Sequence, residues 1–227
     1  MIGSIPKATA QRISLYLRQA EMLRDQGQTT VASEQLAAAF GLTAAQVRKD
    51  MAHFGQFGRP GVGYRCEELI AQLRRILGTD KVRSVALVGC GNLGRALASY
   101  QGFEKRGFRI VAVFDSDLQK VGKQFGRHIV QDIVKLPFVC RRDSVHLAIL
   151  AVPASAAQDV AEQLVRAGIQ GILNFAPVSL EVPAEVSVVN VALSVELEQL
   201  GLAVRLKQEL QHSKPAGDER SRGPTAG

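Results

Sequence analysis

The pattern of apolar and polar positions changes near Gly78. Before it, apolar residues recur at the spacing of amphipathic helices, and after it β-branched runs alternate with helical stretches. Residues 10–25 form the first predicted helix, which ends at Gly27. The change predicts two domains, residues 1–79 and 80–192, with their boundary near residues 78–81.

Two short helices are predicted next in the first domain. Ser33 is expected to cap one that runs to Phe40, and Thr43 to open another that runs to about Phe54. Between them lies Gly41, which stops the earlier helix. Two short helices joined by such a turn form a helix-turn-helix, here over about residues 15–54.

A glycine-rich stretch follows at residues 55–64. Its density of glycine, together with aromatic residues that need burial, predicts a tight β-hairpin, a wing with Arg59 at its tip. A helix over 67–77 completes the domain. The first domain is therefore predicted to be a winged helix.

The second domain has the pattern of a doubly wound α/β fold. Continuous apolar strands between helices indicate a parallel sheet with both faces covered, the Rossmann arrangement. We expect strands at 84–88, 109–115, near 128–130, and at 145–152, 171–175 and 186–191, with one helix following 94 through Tyr100 and another over 154–167. The helix over 194–210 has an apolar stripe and predicts a dimerisation element, residues 193–211. Disorder is expected for the polar residues 212–227.

A glycine motif ends the first of these strands and opens a helix: Gly89, Cys90, Gly91, Asn92, Leu93 and Gly94. In that context the first glycine permits the turn, the second lets the backbone approach a pyrophosphate, and the third lets helix pack on strand. The helix start attracts the anion. Asp115 ends the next strand, where a carboxylate accepts hydrogen bonds from ribose hydroxyls and repels a 2′-phosphate. The motif predicts an NAD(H) site.

Charge points to nucleic acid at the other end of the chain. The net charge is +7; residues 1–78 hold ten basic and six acidic side chains, and residues 79–210 hold fifteen and thirteen. Basic excess per residue is thus higher in the helix-turn-helix domain than in residues 79–210. On the third helix, Gln46, Arg48 and Lys49 are placed to meet the major groove, and Arg59 the minor groove.

Other kinds of site find no support in the sequence. Cys66, Cys90 and Cys140 lie far apart and form no ligand cluster, so no metal site is expected. His128 and His146 belong to no recognisable dyad, so no catalytic residue is expected. No apolar run is close to the length of a membrane span, which is about 20 residues. The first residues of the chain lack the apolar core of a secretory signal. A cytoplasmic protein without membrane contact is therefore predicted.

The chain resembles the bacterial redox-sensing repressor family Rex. The segments that carry the resemblance are 5–9 (IPKAT), 46–50 (QVRKD), 54–58 (FGQFG), 61–64 (GVGY), 85–97 (VALVGCGNLGRAL), 114–117 (FDSD), 151–154 (AVPA) and 171–177 (GILNFAP). The resemblance implies a homodimer that exchanges its C-terminal helix, binds a palindromic operator when NADH is scarce, and releases it when NADH binds.

The same resemblance implies roles for individual residues. Arg48 and Lys49 become DNA contacts, Val152 and Pro153 lie near the ring end of the cofactor, and Arg18 and Tyr100 couple the domains. Two positions depart from the family pattern. Arg59 is displaced by one residue from the usual wing arginine, which weakens the expectation for it. Ala192 replaces an Asp common in the family that is thought to meet the tyrosine, so we expect a weaker NADH response.

Two other classes of function stay open at this point. One is an NAD-dependent oxidoreductase with an accessory helical domain. The other is a DNA-binding protein whose Rossmann domain is vestigial or takes another nucleotide, such as coenzyme A.

Overall fold

The computed structural model describes residues 6–55, 58 and 62–212. Arg59 and the tail beyond 212, for which disorder was predicted, lie outside these residues. Two compact units are present: residues to 85 with 99–111, and residues 86–98 with 112 onward. Residues 99–111, which were predicted to belong to the second domain, are thus part of the first unit. The sheet itself begins close to the predicted boundary, with its first central strand at Arg83.

The first unit is built on helices packed around one core. Buried residues of all four helices meet there, among them Tyr16, Leu36, Met51 and Leu73. The first helix begins three residues before the predicted Ala10, because Pro6 has the fixed φ that suits the residue preceding a helix. The helices are α1 (Lys7–Asp25), α2 (Ser33–Ala38), α3 (Ala44–Ala52) and α4 (Cys66–Ile76).

The helix caps agree with the sequence at one place and differ at another. Thr43 caps α3 as predicted, its Oγ1 accepting the Gln46 N–H at 3.1 Å. The cap of α2 is Ala32 rather than Ser33, and the Ala32 N–H donates to Gln35 Oε1 at 2.8 Å. The Ser33 hydroxyl is buried beside the Tyr64 hydroxyl instead, so a buried partner draws it away from capping.

The described end of the predicted wing pairs with an earlier strand. Strand β2 (Tyr64–Arg65) pairs antiparallel with β1 (Thr30–Val31), with Val31 opposite Tyr64. Gly63 has a φ of +84°, and a Cβ there would overlap the Val31 carbonyl oxygen. Close backbone approach at Gly63 therefore brings β2 onto the earlier strand. Most of residues 56–61 lie outside the described residues.

A buried carboxylate on α3 ties the helix-turn-helix to α1. The Asp50 side chain is 1% exposed and accepts from Arg12 Nε at 2.6 Å, from the Tyr16 hydroxyl at 2.8 Å and from Gln46 Nε2 at 2.8 Å. Burial alone would raise the pKa of Asp50, but these hydrogen bonds outweigh it and lower the pKa to about 2. Burial and the neighbouring Asp50 raise the pKa of the Tyr16 hydroxyl, so it remains a donor. The position of α3 is therefore fixed from its inner face.

The second unit contains most of a seven-stranded sheet in the order β5-β6-β4-β3-β7-β8-β9. Strands β6 and β4, β7 and β8, and β8 and β9 pair in parallel, while β5 is an antiparallel edge strand. The order reverses beside β3, which is the switch point of a doubly wound fold. The strands are β3 (Arg83–Val88), β4 (Phe108–Asp115), β5 (Gln124–Phe125), β6 (His128–Asp132), β7 (Leu147–Leu150), β8 (Gly171–Asn174) and β9 (Ser187–Asn190).

Two of the remaining helices were not predicted, the short α6 (Gly102–Lys105) and the longer α7 (Leu136–Arg142). Helix α7 was not predicted, because Pro137 interrupts the apolar run; in the structure that proline lies in the first turn, where its lack of an N–H costs nothing. The predicted helix through Tyr100 instead ends at Ala98. The helices are α5 (Asn92–Ala98), α6 (Gly102–Lys105), α7 (Leu136–Arg142), α8 (Ala154–Arg166) and α9 (Leu193–His212).

Replacing Asp50 by alanine is expected to lower the free energy of unfolding of the first unit by about 3 kcal/mol, because a partner of a buried ion pair is removed. Urea unfolding at neutral pH measures this loss. Asp25→Ala is the control, since its carboxylate is 68% exposed and pairs with Arg24 at the surface. Equal losses in the two variants would contradict a special role for Asp50.

The stability difference between the wild type and Asp50→Ala is also expected to depend on pH. Because the folded-state pKa of Asp50, about 2, lies below its ordinary value of 3.8, its stabilisation is complete above that value and disappears as pH falls toward 2. The stability difference between wild type and Asp50→Ala should therefore shrink between about pH 4 and pH 2. A difference that is constant over this window would show that folding does not lower the pKa of Asp50.

Candidate functional site

A sharp turn follows β3 at the sheet's switch point. Gly89 has a φ of +103°, its N–H donates to the Phe114 carbonyl at 2.8 Å, and a Cβ there would overlap the Ala151 carbonyl. Only glycine satisfies both the backbone conformation and the close approach. The chain therefore leaves the sheet at Gly89 and enters α5 within three residues.

The two later glycines of the motif have opposite surroundings. A Cβ on Gly94 would overlap the Gly89 carbonyl oxygen, so α5 packs directly on the turn. A Cβ on Gly91 would meet no atom within 4 Å, and Gly91, Asn92 and Leu93 are all exposed. The contact at Gly94 serves packing, while the open backbone at Gly91 leaves room for a ligand. The motif predicts these two roles for its third and its second glycine.

Asp115 ends β4 beside this turn. Its Oδ2 accepts the Cys90 N–H at 2.8 Å and its Oδ1 accepts the Asp117 N–H at 2.9 Å. The Lys120 ammonium also donates to Oδ2, at 3.1 Å. The structure thus brings Cys90 and Asp115 together, two residues that the sequence separates by 25 positions.

The environment keeps Asp115 ionised although only 8% of the residue is exposed. Burial would raise the pKa of its carboxyl, but the Asp117 and Cys90 amides and the Lys120 ammonium more than offset this and hold the pKa below its ordinary value. A charged acceptor at the carboxyl end of the second strand suits ribose hydroxyls. The contact of Lys120 with Asp115 was not predicted. Its position three residues after Asp117 was a signal for an ion pair in this loop.

Val152 and Pro153 follow β7 on the other side of the switch point. A Cβ on Gly89 would lie 3.0 Å from Val152 Cγ1, so Val152 borders the glycine turn. Pro153 is exposed and precedes the first residue of α8. Both residues therefore lie at the edge of the sheet where the motif and Asp115 are found.

The predicted DNA-contacting residues on α3 do not share one environment. Arg48 and Lys49 are exposed, and Arg48 makes only a surface ion pair with Glu34, at 3.6 Å. Gln46 is half-buried and donates to Asp50, which limits its freedom. The role of Asp50 as the buried partner of Gln46 was not predicted. An acid four residues after Gln46 lies on the same helix face, and this spacing was the available signal.

The structure gives the predicted coupling residues different surroundings. Arg18 is exposed and lines a cavity of about 380 Å³ with Glu21, Arg74 and Arg106. Tyr100 is 59% exposed and meets Phe103 edge-to-face at 5.0 Å. The Ala192 carbonyl accepts the Val195 and Glu196 N–H groups at the start of α9. Its methyl side chain accepts no hydrogen bond, so the weaker NADH response stays a prediction.

All three cysteines are buried free thiols. Burial raises the pKa of Cys66, that of Cys90 to about 12 and that of Cys140 to about 11. Thiols that stay protonated are poor nucleophiles and resist oxidation. Cys90 therefore contributes its backbone N–H to the site and not its sulfur.

Across the described ranges, no cluster of three or more His, Cys, Asp or Glu side chains is arranged to hold a metal ion. Within the same ranges, no helix combines the length and the apolar character needed to cross a membrane.

Two family models match successive parts of the chain. Residues 4–52 match the family described as "Putative DNA-binding protein N-terminus", and residues 80–178 match the "CoA binding domain" family. The first contains α1 to α3 and the second contains the glycine turn and Asp115.

Curated relatives match over nearly the whole chain. A redox-sensing transcriptional repressor Rex from Carboxydothermus hydrogenoformans is 51% identical over 88% of this chain and 97% of its own. Rex 1 from Thermotoga maritima is 41% identical over 87% of this chain and 95% of its own. The chain belongs to the Rex family of redox-sensing transcriptional repressors.

Solved Rex-family structures have the same fold. RSP in complex with beta-NAD+ and operator DNA is 36% identical, with a TM-score of 0.84 over 93% of this chain and 99% of that one. RSP in complex with beta-NADH is 34% identical, with a TM-score of 0.82 over 92% of this chain and 99% of that one. Rex proteins are named as repressors, so the chain belongs to a family of regulators and not of enzymes.

The two glycines give a matched test of the turn. Gly94→Ala is expected to destabilise the second unit by about 2 kcal/mol, because the new methyl group forces α5 away from Gly89. Gly91→Ala should leave stability within about 0.5 kcal/mol of the wild type, since the position is open. Thermal and urea unfolding measure both. Equal midpoints for the two variants would contradict the close packing at Gly94.

Proposed function

We propose that this Rex-family protein is a cytoplasmic repressor that binds a palindromic operator through α3 and releases it when NADH binds at the glycine turn. The observation that carries the proposal is the ionised Asp115 carboxylate, held 2.8 Å from the amide of the exposed turn at the switch point of the sheet. The same chain presents two exposed cations on a helix-turn-helix. Sensor and reader are thus parts of one polypeptide.

The residues around the glycine turn suit a dinucleotide. The open space at Gly91 admits a pyrophosphate beside the α5 start, and Asp115 Oδ1, which accepts only the Asp117 N–H among described residues, keeps a lone pair for a ribose hydroxyl. Val152 and Pro153 border the region for the nicotinamide ring. When bound, NADH supplies the redox state that the protein reads; the protein's own residues bind and orient it.

The experiment that tests the function is operator binding by the full-length protein, titrated separately with NADH, NAD⁺ and coenzyme A. The DNA probe is a duplex selected from random sequence by the protein itself, followed by fluorescence anisotropy. We expect NADH to weaken binding at concentrations where NAD⁺ and coenzyme A do not. A ligand shifts an equilibrium only by its differential affinity for the two states.

Each other outcome supports a different function. Equal operator affinity with and without NADH would identify a DNA-binding protein without a dinucleotide response. Release by coenzyme A alone would favour the ligand after which the matching domain family is named. Turnover of a hydride donor by the pure protein would indicate an oxidoreductase.

Arg48→Ala and Lys49→Ala are expected to weaken operator binding without changing NADH affinity. If either side chain contacts a base, specificity at one operator position should relax, at a cost of about 1–3 kcal/mol; if it contacts phosphate, the log–log salt slope should fall by about 1. Arg166→Ala on α8 is the control, because that arginine is also exposed, 66% of its side chain, and ion-paired at the surface. Wild-type affinity in both α3 variants would exclude α3 as the reading helix.

Helix α9 supports the dimer. Seven large apolar side chains of this helix are each at least 43% exposed in the single chain. At about 100° per residue they form two stripes on opposite sides: Leu193, Leu197, Leu200 and Val204 on one, and Val195, Leu202 and Leu206 on the other. A helix that is apolar on two sides needs cover on both. Insertion of α9 into a partner subunit supplies that cover, whereas edge contact covers one stripe only.

A chain ending at Val191 is therefore expected to be monomeric and to lose operator binding, because the distance between two recognition helices is then no longer fixed. Light scattering at micromolar concentration and anisotropy measure the two losses. A full-length protein that is monomeric at that concentration would overturn the dimer.

A further inference from the structure

Lys120 lies in the loop after β4, beside the acceptor proposed for the ribose. Its Nζ is 3.1 Å from Asp115 Oδ2 and 3.6 Å from Asp117 Oδ2, and its N–H donates to the Asp117 carbonyl at 2.9 Å. The side chain is 42% exposed. One end of this residue is therefore anchored by the loop, while its ammonium reaches back over the carboxylate from the solvent side.

The surroundings of this ammonium are strongly acidic. Asp132 is the register partner of Asp115 in the parallel pair of β4 and β6, so a third carboxyl group stands at the same edge of the sheet. Hydrogen bonding to Asp115 raises the pKa of Lys120, which keeps it charged. Three carboxylates and one ammonium leave a net charge of −2 at this edge, and without Lys120 the net charge would be −3.

We propose that Lys120 is a specificity residue, which limits how strongly the site rejects a dinucleotide that carries a 2′-phosphate. The proposal rests on the proposed function, because it assumes that Asp115 faces the adenosine ribose. Asp115 rejects the phosphate by charge and by needing a hydroxyl donor. The Lys120 ammonium has three N–H donors on a flexible stem and can turn from Asp115 Oδ2 to a phosphate oxygen.

A purely structural role makes a different prediction. If Lys120 only held Asp115 in place, its loss would disturb a contact that favours NADH, and the ratio of the NADPH to the NADH dissociation constant would stay the same or fall. A specificity role raises this ratio, because the ammonium that accommodates the phosphate of NADPH is lost. The ratio Kd(NADPH)/Kd(NADH) therefore separates the two roles.

The experiment measures both dissociation constants, by nicotinamide fluorescence and calorimetry, for the full-length wild type and for Lys120→Met, Lys120→Arg and Lys123→Met. Lys120→Arg keeps the charge. Lys123→Met removes an exposed charge from the same loop and is the matched control for net charge. Circular dichroism and thermal unfolding confirm that each variant is folded.

We expect the ratio to rise about tenfold in Lys120→Met, the size of effect given by one charge a few ångströms from a phosphate in a partly solvated site. The ratio should stay within about twofold of the wild type in Lys120→Arg and Lys123→Met. An unchanged or smaller ratio in Lys120→Met overturns the proposal, and so does an equal rise in Lys123→Met. Wild-type protein that binds neither dinucleotide overturns the proposed function itself, and the specificity role with it.

Discussion

The buried charge of Asp50 is the constraint on which the outer face of α3, the surface proposed to contact DNA, depends. A carboxylate that is 1% exposed is tolerated only because Arg12, Tyr16 and Gln46 all donate to it. Two of these donors come from α1 and one from α3 itself. The outer face of α3, with Arg48 and Lys49, is therefore oriented by hydrogen bonds on the opposite face, and the two exposed cations need no partner of their own to be held in place.

A second aspartate organises the other unit, and the contrast between the two explains their roles. Asp50 accepts donors on both oxygens from long side chains and has little capacity left for a ligand. Asp115 is also ionised, but it is held mainly by two backbone amides and by one half-exposed ammonium. Asp50 is therefore a structural residue, because protein donors occupy both of its carboxylate oxygens. Asp115 keeps acceptor capacity at the edge of a sheet, and the proposed ribose contact depends on this capacity.

The sequence predicted the parts of this molecule that depend on local chemistry. Thr43 capped α3, Gly89 and Gly94 made the turn, and Asp115 ended β4, because each follows from the conformational demands of a few adjacent residues. What was missed depends on distant partners. Ser33 lost its capping role to a buried contact with Tyr64, and β2 paired with β1, more than 30 positions earlier. Lys120 and Asp50 were not singled out, because their hydrogen-bond partners come together only in the fold.

The three protonated thiols have a consequence for how such a protein would behave over time. A regulator that reads redox state through a cysteine carries a covalent mark, and a reductase must erase it before the next reading. Here Cys66, Cys90 and Cys140 are sealed from solvent. Because the proposed signal is a reversibly bound dinucleotide, it leaves no covalent modification on the protein. The response then follows the concentration of free NADH as fast as the ligand dissociates. Peroxide that leaves this concentration unchanged would not alter operator binding.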